Sequence, residues 1–169
     1  TTSSTCHLAV GDAIAMAIQK LKGFPPNEFG EYHPSGSLGK KLNLSLKNLV
    51  DNKRIPIVNP LSSFAEVISE ISSKMYGATA VLKDEEIIGI ITDGDIRRVI
   101  EKRKNIEDIK ASEFMGNNPK VLKSDILASE ALRIIKKNNI NQVLVIDNND
   151  SFIGVVHILD IIKQGINDE

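Results

Sequence analysis

Two short stretches hold the residues best suited to chemistry. In IIGIITDGDIRRVI, residues 87–100, Gly89, Thr92 and Asp95 stand three apart. About 65 residues later FIGVVHILDIIKQG repeats the spacing with Gly154, His157 and Asp160. A hydroxyl or an imidazole can donate to a phosphate oxygen. A carboxylate repels phosphate, so its fitting partner is a pair of ribose hydroxyls. Glycine lets backbone or ligand approach closely. Arg97 and Arg98, one turn on, could neutralise phosphate charge. This is the chemistry of holding a ligand before it is the chemistry of a catalyst. The plain alternative for Asp93 and Asp95 is helix capping and dipole compensation, and for the two arginines a solvated helix face. Asp160 recurs where Asp95 stands, which favours a ligand role for both carboxylates. Thr92 becomes His157, so the two sites are unequal and one ligand need fill only one of them.

The elements that must position these residues also come twice. The first copy is IPIVNPLSSFAEVISEISSKMYGATAVLKDEEIIGIITDGDIRRVIE and the second is NPKVLKSDILASEALRIIKKNNINQVLVIDNNDSFIGVVHILDIIKQG. Val58 pairs with Val121, Glu66 with Glu130, Gly77 with Asn141 and Gly89 with Gly154, offsets of 63, 64, 64 and 65. The slips fall at expected loops, as in diverged repeats. Each copy reads β-α-β-β-α. In the first, residues 55–58 are extended and Ser63-x-x-Glu66 is a capping box for a helix through Lys74. Strands follow over 78–82 and 87–92, then a helix from about 93 to 102. In the second, a helix is expected over about 126–137, strands over 142–147 and 152–157, and a helix over 159–164. Apolar runs such as IIGII and VLVI imply strands buried on both faces. One copy alone buries too little apolar surface to be stable. The expected fold is α/β (α+β), two sheets packed with pseudo-two-fold symmetry and two equivalent clefts.

Composition narrows the function classes. The chain has 169 residues, a net charge of −1, 41% hydrophobic residues, 5 Phe, 2 Tyr and no Trp. Its core is therefore aliphatic. Nothing marks a nucleic-acid binder, and no apolar run reaches the ~18 residues of a membrane span. The single Cys6 excludes an internal disulfide and fits a cytoplasmic protein. No metal site or cofactor is expected. Ser4 or Thr5 can cap a helix over about Leu8–Lys22 that is apolar nearly all round. Such a helix is normally buried, which suggests the C-terminal piece of a longer protein, or else self-association. Gly23-Phe24-Pro25-Pro26 ends it, and residues 27–45 read as irregular.

The repeat with G-x-x-[TH]-x-x-D at its last strand–helix junction resembles the CBS domain pair, or Bateman module, over about residues 46–166. GIITDGDIRR, GVVHILDIIKQGI, TTSSTCHLAVGDAIAMAI and HPSGSLGKKL together resemble the bacterial arabinose-5-phosphate isomerases. The resemblance implies residues 1–45 as the end of a sugar isomerase (SIS) domain with its exit segment, and CBS repeats over 46–105 and 106–169. It implies a parent enzyme that interconverts ribulose 5-phosphate and arabinose 5-phosphate for synthesis of Kdo and lipopolysaccharide. Its acid/base candidate here is His33. It also implies a regulatory nucleotide or nucleotide-sugar ligand, CMP-Kdo or an adenine nucleotide. The assembly implied is a homo-oligomer, a dimer of CBS pairs within a tetrameric parent. The family's SIS core would lie upstream of Thr1, so this stretch alone is expected to be inactive. LVDNKRIPIV departs from the family's lead-in, so the first cleft's entrance is expected to differ. A stand-alone adenine-nucleotide sensor and a purely structural oligomerisation module remain the alternatives.

Overall fold

The computed structural model describes residues 1–23, 37–102, 105–106 and 108–167. These form two compact units, Thr1–Asn43 and Leu44–Glu169.

In the first unit, helix α1 spans Thr2–Leu21. Its cap is Thr1 rather than Ser4 or Thr5: the Thr1 hydroxyl accepts from the Ser4 N–H at 3.4 Å. Leu8, Val10, Ile14, Met16, Ile18 and Leu21 are exposed. A second helix, α2, covers Ser37–Asn43, where an irregular segment was expected. Leu38, Lys40, Lys41 and Leu42 are good helix formers, and they outweigh the Gly39 that suggested a loop.

The second unit carries the repeat. The first half contains β1 (Ile57–Val58), α3 (Phe64–Lys74), β2 (Ala78–Lys83), β3 (Glu86–Thr92) and α4 (Asp93–Lys102). The second half contains β4 (Val121–Lys123), α5 (Ala128–Lys137), β5 (Gln142–Ile146), β6 (Phe152–His157) and α6 (Ile158–Ile162). Each half is a three-stranded sheet, β1-β2-β3 or β4-β5-β6, with the first pair parallel and the second antiparallel. The register shifts at the same place in both, after Val81 and after Val145. Ile57 pairs with Ala80 and Val121 with Leu144. The structural counterpart of Val121 is therefore Ile57, not Val58, and the offset at this strand is the 64 seen elsewhere.

Local chemistry explains most boundaries. The Ser63 hydroxyl accepts from the Glu66 N–H and the Glu66 carboxylate accepts from the Ser63 N–H, the expected capping box. The central strands β2 and β5 are buried along most of their length, and the two sheets face each other through Tyr76, Ala80, Leu144 and Val155.

The sequence did not disclose an exchange of lead-ins. Leu46, ahead of the first half, is fully buried in the second half's core with Leu132, Ile135 and Val143. Its N–H donates to the Ile126 carbonyl at 3.0 Å, and the Ala128 N–H donates to the Leu44 carbonyl at 2.7 Å. Reciprocally, Ala111, ahead of the second half, is buried in the first half's core and donates to the Ser62 carbonyl at 2.9 Å. Short 3₁₀ turns over Leu46–Asn48 and Ala111–Glu113 seat the two lead-ins.

Candidate functional site

Both strand–helix junctions line the same cleft, of about 750 Å³. Two equivalent clefts were expected, one per junction; the structure instead turns Thr92 and His157 toward shared space. The reason lies in the turns before β2 and β5. The Asp93 N–H donates to the Gly77 carbonyl at 3.1 Å, and the Ile158 N–H to the Asn141 carbonyl at 2.7 Å. Each junction is thus tied to the turn of its own half, and the turns meet where Gln142 Nε2 donates to the carbonyls of Tyr76 and Gly77. Gly77 has φ +65, and a Cβ there would lie 3.0 Å from Asp93 Oδ2 and 3.2 Å from Gln142 Nε2. A side chain there would displace both and take a left-handed backbone, which glycine adopts without strain.

The six paired positions divide. Thr92, His157 and Asp160 line the cleft. Asp95 does not; one oxygen accepts from the Thr92 N–H at 2.9 Å and hydroxyl at 2.6 Å, and the other pairs with Arg98. It closes the start of α4, which is the capping role weighed against ligand binding. Asp160 accepts only the His157 N–H, at 3.0 Å, and has no ion pair among the described residues. His157 Nδ1 in turn accepts from the Leu159 N–H at 3.1 Å, so its other nitrogen carries the proton and can donate.

Gly89 and Gly154 admit close approach, but of protein. A Cβ on Gly89 would lie 2.7 Å from Met115 Sδ and 3.0 Å from the Gly116 carbonyl. On Gly154 it would lie 2.8 Å from Val50 Cγ1, and φ there is +149. Each glycine receives the lead-in exchanged from the other half, so the pair locks the fold. The two arginines separate as well. Arg97 lines the cleft and donates from Nε to the Asp93 carbonyl at 3.3 Å, whereas Arg98 is spent on Asp95. His33 lies outside the described residues.

The cleft also recruits residues that motif reading passed over. Arg54 enters from the first lead-in, Tyr76 and Asn139 from the turns, and Lys163 from the end of α6. Lys163 corresponds to Arg98 at the same offset of 65 that relates Asp95 and Asp160, yet only Lys163 faces the cleft. Arg54, Arg97 and Lys163 thus bring positive charge to the cleft that Asp160 also lines, and Arg54 is close enough to Asp160 for the two to interact. Burial pushes the Tyr76 phenol above its ordinary value, and the hydrogen bond to Asp51 pushes the Arg54 guanidinium up. Such a site can hold an anion beside a hydroxyl-bearing group. No cluster of metal-ligating side chains occurs among the described residues. A signal for the missed residues was present: the turns 75–77 and 139–142 occupy matching places in the two copies, and pseudo-symmetry brings matching places together.

Comparison with known proteins gives the family and the fold. The CBS domain family matches residues 47–102 and 111–166. The chain belongs to the CBS domain family. A CBS domain protein from Pyrobaculum aerophilum, solved in complex with AMP, superposes on this CBS pair with a TM-score of 0.63 at 19% identity, over 69% of this chain and 89% of that one. Arabinose 5-phosphate isomerase KdsD of Francisella tularensis is 38% identical over 96% of this chain and 50% of its own length. The enzyme of the same name from Yersinia pestis is 36% identical over 98% of this chain and 51% of its own. The chain therefore spans about half the length of the curated relatives it matches. No helix among the described residues is long and apolar enough to cross a membrane.

Proposed function

We propose that this CBS pair is the regulatory region of an arabinose-5-phosphate isomerase and binds one nucleotide-containing ligand in the cleft shared by its halves. The observation that carries the reading is the convergence of Thr92, His157 and Asp160 on one cleft, ringed by Arg54, Arg97 and Lys163. Asp160 takes ribose hydroxyls, Thr92 and His157 donate to phosphate, and Arg97 supplies charge. Gly89, Gly154 and Asp95 act behind the site, by holding the junctions in place. Support for the ligand class comes from the AMP complex of the similar fold, and support for the enzyme from the relatives named as isomerases. In this reading isomerisation belongs to the half of those relatives outside this chain. His33 would return a proton there only in the full enzyme, and the CBS pairs associate within the enzyme's oligomer.

A thermal-shift titration of this chain with AMP, ATP, CMP and CMP-Kdo tests the ligand, because a ligand bound to the native state raises Tm. A selective shift with CMP-Kdo supports feedback control of the isomerase by an activated acidic sugar. A selective shift with adenine nucleotides supports energy sensing. No shift with any of the four would overturn ligand regulation and leave the structural role.

A further inference from the structure

The lead-in Asp51-Asn52-Lys53-Arg54 has no chemical counterpart in the second half, where the offset of 64 gives Met115-Gly116-Asn117-Asn118, without a charge. Neither the sheets nor the exchange of lead-ins requires it. Yet it is organised. Asp51 Oδ1 accepts from the Lys53 N–H at 2.9 Å, and Asp51 Oδ2 accepts from Arg54 Nε at 2.7 Å. The guanidinium carbon lies 5.3 Å from the ring centroid of Tyr76, within reach of a cation–π contact. That ring is itself buried, between the two sheets. An arginine at this exposure ordinarily samples many rotamers; here a carboxylate and an aromatic face hold it. Its side chain lines the cleft, close enough to Asp160 for the two charges to act on each other. Its terminal amino groups make no hydrogen bond among the described residues, so the fork that suits two oxygens of one oxyanion remains available.

We propose that Arg54 is the main phosphate anchor of the cleft, acting beside the Thr92 and His157 donors and positioned by Asp51 and Tyr76, and that it fixes the direction in which the ligand lies. This rests on the cleft being the ligand site. The pair is nearly symmetric, so a ligand could in principle enter in two orientations. A single fixed guanidinium on one side removes that choice, with the phosphate at Arg54 and the sugar hydroxyls at the neighbouring Asp160. Asp51 never touches the ligand in this arrangement; it acts through Arg54.

Isothermal calorimetry on the full chain tests this with two matched probe pairs, AMP against adenosine and CMP against cytidine. In the wild-type protein the nucleotide of at least one pair binds about tenfold tighter than its nucleoside, as one charge-assisted contact allows. Arg54→Gln lowers that ratio several-fold by weakening the nucleotide alone. Arg54→Lys keeps the charge but not the fork and falls between. Asp51→Asn lowers the same ratio while nucleoside affinity and Tm stay put, which a general structural defect would not do. A ratio unchanged in Arg54→Gln, or nucleotide and nucleoside weakened together, overturns the assignment to Arg54 and leaves the cleft reading standing. Failure of the wild-type chain to bind any of the four probes, and ATP and CMP-Kdo as well, overturns both.

Discussion

The two halves of the pair share one plan and differ in how they spend the same residues. In the first half Asp95 is consumed by Thr92 and Arg98, and α3 starts on a full capping box. In the second half Asp160 faces the cleft, and Leu127, just before α5, offers no side-chain cap. The αL residue that ends the helix also differs: Met75 at φ 60 in the first half and Asn139 at φ 50 in the turn of the second. Asparagine suits that conformation and methionine does not. Symmetry thus sets the backbone, and departures from it mark where one half specialises. The second half's core is also the more continuous. It is one cluster that includes Leu46, whereas the first half's buried residues fall into two clusters, around Val67 and around Phe64.

Substitutions can break this comparison, and the largest effect is expected at the exchanged lead-in. Leu46→Ala empties a fully buried site in the second half's core and should cost about 3–4 kcal/mol in denaturant unfolding. Hydrogen exchange should then show faster opening in α5 and β5 than in α3 and β2, although Leu46 precedes the first half in sequence. Loss of protection confined to the first half would refute the exchange.

The glycine locks come next and should differ. Gly154→Ala meets Val50 Cγ1 and a φ that side chains rarely adopt, for about 2–3 kcal/mol. Gly89→Ala meets the thioether of Met115, which can swing aside, and the Gly116 carbonyl at 3.0 Å, which must give slightly, at a φ open to side chains, for about 1–2 kcal/mol. Equal losses in urea titrations would mean that the two locks are equivalent after all.

The carboxylates sharpen the contrast in function. Asp160→Asn should abolish the nucleotide-induced rise in Tm. Asp95→Asn should lower the basal Tm, through the Thr92 and Arg98 contacts, and leave the ligand-induced rise in place. The reverse pattern would move the site to the first junction.

The smallest effect concerns the cap. Ser63→Ala should cost about 1 kcal/mol. The Ser63 N–H that Glu66 accepts holds the Glu66 carboxyl below its ordinary value. A carboxyl depressed on folding stabilises above its unfolded pKa, about 4.3, and loses that contribution as pH falls through the folded value. The deficit of a Glu66→Ala variant, which loses that carboxylate, should therefore hold from neutral pH to about 5 and shrink below about 4 in thermal melts.

Much of this was legible in the chain. The periodicity of Phe64, Val67, Ile68, Ile71 and Met75 and the Ser63–Glu66 pair placed α3 to within a residue, because local hydrogen bonds and local burial determine it, although Met75 itself is the exposed left-handed cap and not part of the buried stripe. The apolar runs placed the strands for the same reason. What stayed hidden depends on contacts between residues far apart. Gly89 and Gly154 advertised close approach but not what approaches, since Met115 and Val50 arrive from the opposite half. Arg54 lies outside the repeated motif, and its role emerges only when Tyr76 and Asp160 are brought beside it. Asp95 and Asp160 are indistinguishable as letters; Arg98 against Lys163 separates them, because Arg98 pairs with Asp95 while Lys163 lines the cleft.

The exchanged lead-ins carry a mechanical consequence. Leu44 bonds to Ala128 and Leu46 sits in the second half's core, so tension arriving along the chain at residue 44 is borne first by elements some eighty positions further on. The half that comes first in sequence is shielded until the later one yields. The order in which force loads the module is the reverse of the order in which the ribosome makes it.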